Sequence, residues 1–213
     1  MNSTWLIDDG ELAFSSEQNA LIARIKDLLA HRMRDAAKRH RHSLGVARTA
    51  ASLALAYDVD VFDAYVAGLV HDWDKVISDD EVLARALRYR VPIEGAPALA
   101  VPLLHGPVAA CELPKLFPEL SPAVFQAVAR HTVAACDMTP LDMVVFIADA
   151  LEPGRRGDYA DRQRGLVGEV PLDELFFTCF SEGLVYVLES HRYLYPTAVT
   201  IYNHYVLTKK GNA

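Results

Sequence analysis

Apolar residues recur along this chain at intervals of three and four, and almost nowhere at intervals of two. Leu21, Ile22, Ile25, Leu28 and Leu29 form the first such stripe, and the capping pattern Ser15-x-x-Gln18 opens it. A second helix is predicted over about 35–57, with Leu44, Ala47, Ala51, Ala54 and Leu55 facing inward. Its many alanines favour helix and let a neighbouring helix approach closely. Asp60 is placed to cap a third helix, whose apolar run from Ala64 to Val70 ends at His71-Asp72. Ser78-x-x-Glu81 predicts a full capping box and a helix to about Arg90.

The stretch 91–102 bears prolines and is predicted as a connector containing a short helix. Pro107, Pro122 and Pro140 suit first turns, with Ser121 and Thr139 as caps before the latter two. Glu152 to Gly157 is a break, and 158–171 is expected to be a charged surface loop. A long amphipathic helix is predicted over about 172–192. Its Phe176, Phe177, Phe180 and Tyr186 are expected to serve the core or to cover a partner in a homodimer. Pro196 opens a last helix to about Leu207. The pattern is that of an all-α fold, a single-domain helical bundle over 15–208 with a lead-in at 1–14 and a tail at 209–213.

Composition narrows the class. With 213 residues and 52% hydrophobic content the chain can bury one real core. Its formal charge of −7 provides no general field for nucleic acid, so no nucleic-acid partner is expected. An anionic substrate would have to be drawn in by metals and local cations. Cys111, Cys136 and Cys179 are odd in number, far apart and flanked by apolar residues, which suits free, buried or half-buried thiols in a reducing compartment. The first residues form no basic and apolar leader, and no apolar stretch reaches membrane-spanning length. A cytoplasmic protein without a membrane partner is expected.

The chemistry lies in polar residues set against apolar helices. His71-Asp72 ends one apolar run and Asp149 ends another, Met143 to Ala148. His42 and His131 fall within or at the end of predicted helices, and His105 stands at a helix start where a turn would expose it. A lone histidine is ordinarily a surface or structural residue. Four histidines and two carboxylates in such settings need buried partners, and a metal would supply one to all of them. Six imidazole and carboxylate donors exceed one four-coordinate zinc site and suit two ions sharing a carboxylate, an arrangement typical of phosphate-ester and anhydride hydrolysis. His31, His40, His191 and His204 are expected to face solvent or to pack.

The ordered series resembles a known family. His42, His71-Asp72 and Asp149 match the H…HD…D pattern of the HD-domain metal-dependent phosphohydrolases, and His105 and His131 resemble its binuclear branch. Arg39-x-x-His42, His71-Asp72-x-x-Lys75, Leu104-His105-Gly106-Pro107, Arg130-His131-Thr132 and Asp149-x-x-Glu152-Pro153-x-Arg155 are similar to the YqeK family of bacterial symmetrical diadenosine tetraphosphate hydrolases. The late Pro196-Thr197 and Asn203 extend the likeness over about 20–207. The resemblance implies two transition-metal ions, iron by family and manganese, cobalt or zinc by ligand chemistry. His42, His71, Asp72 and Asp149 would hold one ion and His105 and His131 the other, with Asp72 bridging and a shared water as nucleophile.

Lys75, one helical turn beyond Asp72, and Arg39, Arg155 and Thr132 would contact substrate phosphates. Asp74 would orient a ligand histidine or Lys75. A dinucleoside polyphosphate would be the substrate. Another nucleotide remains open as an alternative, as do a di-iron oxygenase and a nucleotide sensor without turnover. Ala134 departs from the family, which usually has glycine there, and bears on how substrate fits.

Overall fold

A computed structural model describes residues 5–211, so residues 1–4 of the expected lead-in and 212–213 of the tail lie outside the described residues. Eleven α-helices follow one another, with short 3-10 turns at Asp9–Glu11 and Val101–Leu103 and no strand among the described residues. They are α1 Ser16–Arg32, α2 Ala37–Ala56, α3 Val61–Val70, α4 Asp79–Tyr89, α5 Pro97–Ala100 and α6 His105–Leu116. The rest are α7 Pro122–Arg130, α8 Pro140–Leu151, α9 Asp158–Arg164, α10 Leu172–Glu189 and α11 Pro196–Gly211. The all-α reading holds.

Local chemistry sets most helix starts. Ser15 and Gln18 form a reciprocal capping box, as do Thr139 and Asp142. Asp60 and Ser121 each accept a hydrogen bond from a first-turn N–H. Ser78 accepts from Glu81 N, yet the expected return bond is missing because the Glu81 carboxylate bonds Arg85 one turn on, at 2.7 Å. The box is therefore only half formed.

Packing around α2 and α3 brings the site together. Ala47, Ala50, Ala51 and Ala54 on α2 are fully buried. Gly68 on α3 lies so close to them that a Cβ there would come within 2.6 Å of the Ala47 Cα. This near contact carries the end of α3, and with it His71-Asp72, against His42 on α2. Helix α8 lies against α2, α7 and α10, and α6 against α7. Ile25, Leu29, Leu53, Leu69, Phe117, Val145, Ile147 and Phe176 fill the space between. Leu28 and Leu55, which the spacing puts on inner stripes, are instead exposed, and so is Tyr186. Phe176 and Phe180 do join the core.

Residues 158–171 are not simply a surface loop. Asp158 and Asp161 lie at the start of α9 and Arg162 and Arg164 at its end, a charge order that complements the helix dipole. Ala160 and Gln163 are buried beneath it.

Ala134 adopts φ of +69°, the left-handed region. An L-residue there costs about 1–2 kcal/mol, against an entropic penalty for glycine of roughly 0.5–1 kcal/mol. Ala134→Gly is therefore expected to stabilise the fold by about 0.5–1 kcal/mol, raising Tm by roughly 1–4 °C in a thermal melt. An unchanged or lower Tm would contradict that sign.

Candidate metal centre

Five segments place the six donors around one point. His42 comes from the second turn of α2, His71-Asp72 from the end of α3, His105 from the start of α6, His131 from the end of α7 and Asp149 from the last turns of α8. His71, Asp72, His105 and His131 are buried, so His105 is not exposed by its turn as expected. The reason is Gly106. A Cβ there would meet the Val128 carbonyl at 2.7 Å and the His131 ring at 2.9 Å, so glycine lets α6 close onto α7.

Three ring orientations are set by the backbone. His71 Nδ1 lies 2.7 Å from Gly68 O, His131 Nδ1 2.7 Å from Val128 O and His105 Nδ1 3.1 Å from Pro102 O. Carbonyls only accept, so each Nδ1 carries the proton and each Nε2 presents a lone pair to the centre. His42 is oriented by a carboxylate instead, its Nδ1 lying 3.0 Å from Glu152 Oε1.

Asp72 divides its two oxygens. Oδ2 lies 3.3 Å from His71 Nε2 and 3.5 Å from His42 Nε2, while Oδ1 lies 3.1 Å from His105 Nε2 and 3.9 Å from His131 Nε2. Asp149 Oδ1 lies 3.0 Å from His42 Nε2. Three overlapping sets result, in which the donor atoms lie within 4.8 Å of one another: His42, His71 and Asp72; His71, His131 and Asp149; Asp72, His105 and His131.

The donor set fits cations. Nε2 of His105 and of His131 stand 3.1 Å apart with no proton to share, and both face a carboxylate oxygen. Protonating the rings is a poor remedy on this side. Burial, reinforced by His105 and His71, pushes His131 down to about 3. At His42 burial also disfavours charge, but hydrogen bonds to Asp149 and Glu152 prevail and raise it to about 9. Burial works against the charge of Asp72 and Asp149 too, yet the surrounding histidines hold both below the usual carboxylate range, with Arg155 adding to the effect at Asp149. Imidazole nitrogens and carboxylate oxygens in this arrangement suit first-row divalent metals.

Cations surround the centre. Arg39 pairs with Asp72 Oδ2 and Arg155 with Asp149 Oδ1, each at 2.5 Å. Both line a cleft of about 1050 Å3 that runs outward from His42 and Glu152 and is also bordered by Lys38, Arg41, Arg48 and Arg156. Arg41, Gly45 and Arg48 share one face of α2, and Arg155 and Arg156 face them from the loop after α8. Thr132 Oγ1 lies 3.0 Å from His131 Nε2, at the far side of the centre.

Lys75 and Asp74 lie in the turn that follows α3. The α3 helix stops at Val70, and the next residues turn by i to i+3 bonds, Trp73 N to Val70 O and Lys75 N to Asp72 O. Lys75 thus stands one i to i+3 turn beyond Asp72. Its ammonium donates to Pro102 O at 2.9 Å, on the Nδ1 side of His105, and burial lowers its pKa. Asp74 is fully buried and bonds Arg32, with Arg85 3.7 Å away, so it ties the turn to α1 rather than orienting a histidine or Lys75.

Glu152 is the residue that sequence reading left without a role. Its spacing after Asp149 was the available signal. It is buried, bonds His42 Nδ1 and accepts from Gly154 N at 2.6 Å. Gly45 and Gly154 leave room for it, since a Cβ at either would come within 2.8 Å of its carboxylate. Arg164 on α9 holds the same loop through the carbonyls of Leu151, Glu152 and Arg155 at 2.7–2.9 Å. A carboxylate behind a ligand histidine typically contributes 10–100-fold in metal affinity. Glu152→Gln is expected to weaken metal binding by roughly that factor, read by competition with a chelator, while saturating metal restores most activity.

Residues 39–154 match the family model described as HD domain. The fold and its His/Asp centre thus define the class: the chain belongs to the HD-domain family. The family and the donor group together suggest divalent-metal binding. Relatives carry more particular names. A Staphylococcus aureus protein named bis(5'-nucleosyl)-tetraphosphatase, symmetrical, is 29% identical over 171 residues, covering 79% of this chain and 87% of that one. A Bacillus subtilis protein of the same name is 26% identical over 168 residues, covering 78% and 88%. A Clostridium acetobutylicum crystal structure, described as a predicted HD superfamily hydrolase involved in NAD metabolism, superposes with a TM-score of 0.80 at 27% identity. That match covers 88% of this chain and 97% of the other. No helix among the described residues is long and apolar enough to cross a membrane.

Proposed function

We propose that this chain is a metal-dependent symmetrical bis(5'-nucleosyl)-tetraphosphatase that hydrolyses diadenosine tetraphosphate to two ADP. One observation carries the reading beyond the names of its relatives. Asp72 splits its oxygens between two histidine pairs at the inner end of an arginine-lined cleft. A carboxylate that could serve two ions, beside a polyphosphate-sized basic groove, would suit anhydride hydrolysis.

His42, His71, Asp72 and Asp149 would hold one ion, and His105 and His131 the second, with Asp72 shared. Bound there, two ions would supply Lewis acidity to phosphate oxygens and a nucleophile at neutral pH. Iron is the proposed ion, and the mixed nitrogen and oxygen donors also suit manganese, cobalt or zinc.

The protein's own groups do the rest. The cleft concentrates cations in a chain of net charge −7, and so focuses attraction on one surface. Arg39 and Arg155 stand where they can fork onto phosphate oxygens, fix the chain in line and neutralise charge as it shifts during transfer. Glu152 keeps the His42 proton on Nδ1. The Thr132 hydroxyl offers one hydrogen bond at the far end of the phosphates. Water adds to a central phosphorus, the middle P–O–P bridge breaks on the other side of that atom, and each half leaves as ADP.

The test is product identity. Metal-loaded protein given diadenosine tetraphosphate is expected to yield ADP alone. ATP plus AMP would overturn the symmetrical reading, and faster turnover of a nucleoside mono- or triphosphate would replace the substrate.

A further inference from the structure

The cleft of about 1050 Å3 holds more positive charge than a dinucleotide asks of it. Arg39 and Arg155 are engaged by Asp72 and Asp149 at its inner end. Lys38, Arg41, Arg48 and Arg156 are not, for their side chains form no ion pair or hydrogen bond with any described residue. The acids on its wall are both committed, Asp35 to Arg34 and Glu152 to His42. Four like charges in one groove repel one another, and no free acid on the wall offsets them. The charge of −7 belongs to the whole chain, and here the local balance is reversed.

Position matters as much as number. Arg41, Gly45 and Arg48 follow one face of α2, and Arg48 lies six residues beyond His42, about 9 Å of helix rise. Cleavage at the middle bridge leaves two phosphates on each side of the break. Two phosphates that run into the cleft from the centre come first to Arg39 and Arg155. Further out a dinucleotide presents only an uncharged ribose and a base. The wall has little for either. Among the described residues no Phe, Tyr or Trp lines the cleft, so a base finds no such ring to stack on. The volume also stands at the top of the range for small-molecule pockets, though only half of a dinucleotide would enter it.

We propose that the cleft takes single-stranded RNA, and that the protein removes a nucleoside diphosphate from RNA whose 5' end carries a nucleoside through a tetraphosphate. Extending one ribose 3'-hydroxyl of diadenosine tetraphosphate by phosphodiesters gives such a molecule. Its added phosphates fall where Lys38, Arg41, Arg48 and Arg156 stand. Phosphate contacts supply the affinity of such a groove and carry no sequence information, so the grip is independent of sequence. The chemistry at the centre is unchanged. Water adds to one of the two middle phosphorus atoms, and the bridging bond from that atom breaks. ADP and RNA with a 5'-diphosphate separate, and the water's protons pass to phosphate oxygen and solvent. This rests on the tetraphosphatase reading, and names a further substrate class for that site.

The experiment compares metal-loaded protein on diadenosine tetraphosphate and on an RNA of roughly ten nucleotides with the same adenosine tetraphosphate end, a length within the span such grooves cover. The RNA is expected to yield ADP and 5'-diphosphate RNA. Its log kcat/KM should fall with log salt more steeply than that of the dinucleotide, by about 0.7 for each added phosphate the cleft meets. Arg41→Gln combined with Arg48→Gln keeps good helix formers in α2, so Tm should hold. In that double variant the excess slope is expected to shrink by about 1.4, and KM for the RNA to rise about tenfold more than KM for the dinucleotide. Lys38→Gln with Arg156→Gln is the second pair should the first disturb folding. Equal salt slopes for the two substrates overturn the proposal, as do an uncleaved RNA beside a cleaved dinucleotide and an equal loss on both in the double variant. If wild-type protein turns over no diadenosine tetraphosphate, the functional reading falls alone. Binding of fluorescently labelled 5'-diphosphate RNA, read by anisotropy, then decides the cleft. Binding about tenfold weaker in the double variant upholds it, and equal affinity overturns it.

Discussion

Asp72→Ala is expected to lower kcat by about 10³ and to cost the protein at least one of the two ions proposed for its centre. Asp72 is the only one of the six donors whose two oxygens face different histidine pairs, Oδ2 toward His42 and His71 and Oδ1 toward His105 and His131. Lewis-acid stabilisation is worth several kcal/mol, and each ~1.4 kcal/mol is a factor of ten, which gives the thousandfold scale. Asp72→Asn separates charge from shape. It keeps one oxygen acceptor but cannot bridge as an anion, so it should resemble the alanine variant in metal content while folding as the wild type does. The measurements are metal analysis by mass spectrometry and steady-state release of ADP. Retention of both ions and full activity in either variant would remove Asp72 from the centre.

Stripping the metal is expected to lower Tm by roughly 8–16 °C. Ligand present at about 1,000 times its Kd stabilises by about 4 kcal/mol, and each kcal/mol shifts a chain of this size by about 2–4 °C. The sign follows from the inward lone pairs. The Nε2 atoms of His105 and His131 face each other at 3.1 Å beside the Asp72 carboxylate, and without a cation the single proton of the Thr132 hydroxyl cannot serve all of these acceptors. Melting curves with and without chelator, and after metal is returned, read the effect. A melt that does not move once metal analysis finds the protein stripped would mean that the cluster gains no folding stability from metal.

Much of this site was legible in the chain because its donors mark the ends of apolar helices. His71-Asp72 and Asp149 each close a hydrophobic run, and residues such as Asp60 and Thr139 announce the helices around them. What escaped depends on contacts between segments distant in sequence. Glu152 bonds a histidine 110 residues earlier, and no periodicity encodes that. His105 was expected at an exposed turn, but burial is decided by Gly106 meeting α7. At Ser78 a nearby arginine, Arg85, outcompetes the cap for Glu81. Asp74 reads as part of the site from its neighbours in sequence, yet Arg32 on α1 claims it. Region 158–171 looked like loop because its charges hide a helix only two turns long.

That short helix bears on where a working unit of this protein can be cut. The family match ends at residue 154, and Arg164 lies beyond it. A chain trimmed to the matched segment would keep every proposed ligand, and would lose the guanidinium that grips the carbonyls of Leu151, Glu152 and Arg155. Exchange of this region between relatives meets the same constraint. A graft that supplies no equivalent of Arg164 would carry the right six donors and a slack hinge behind His42.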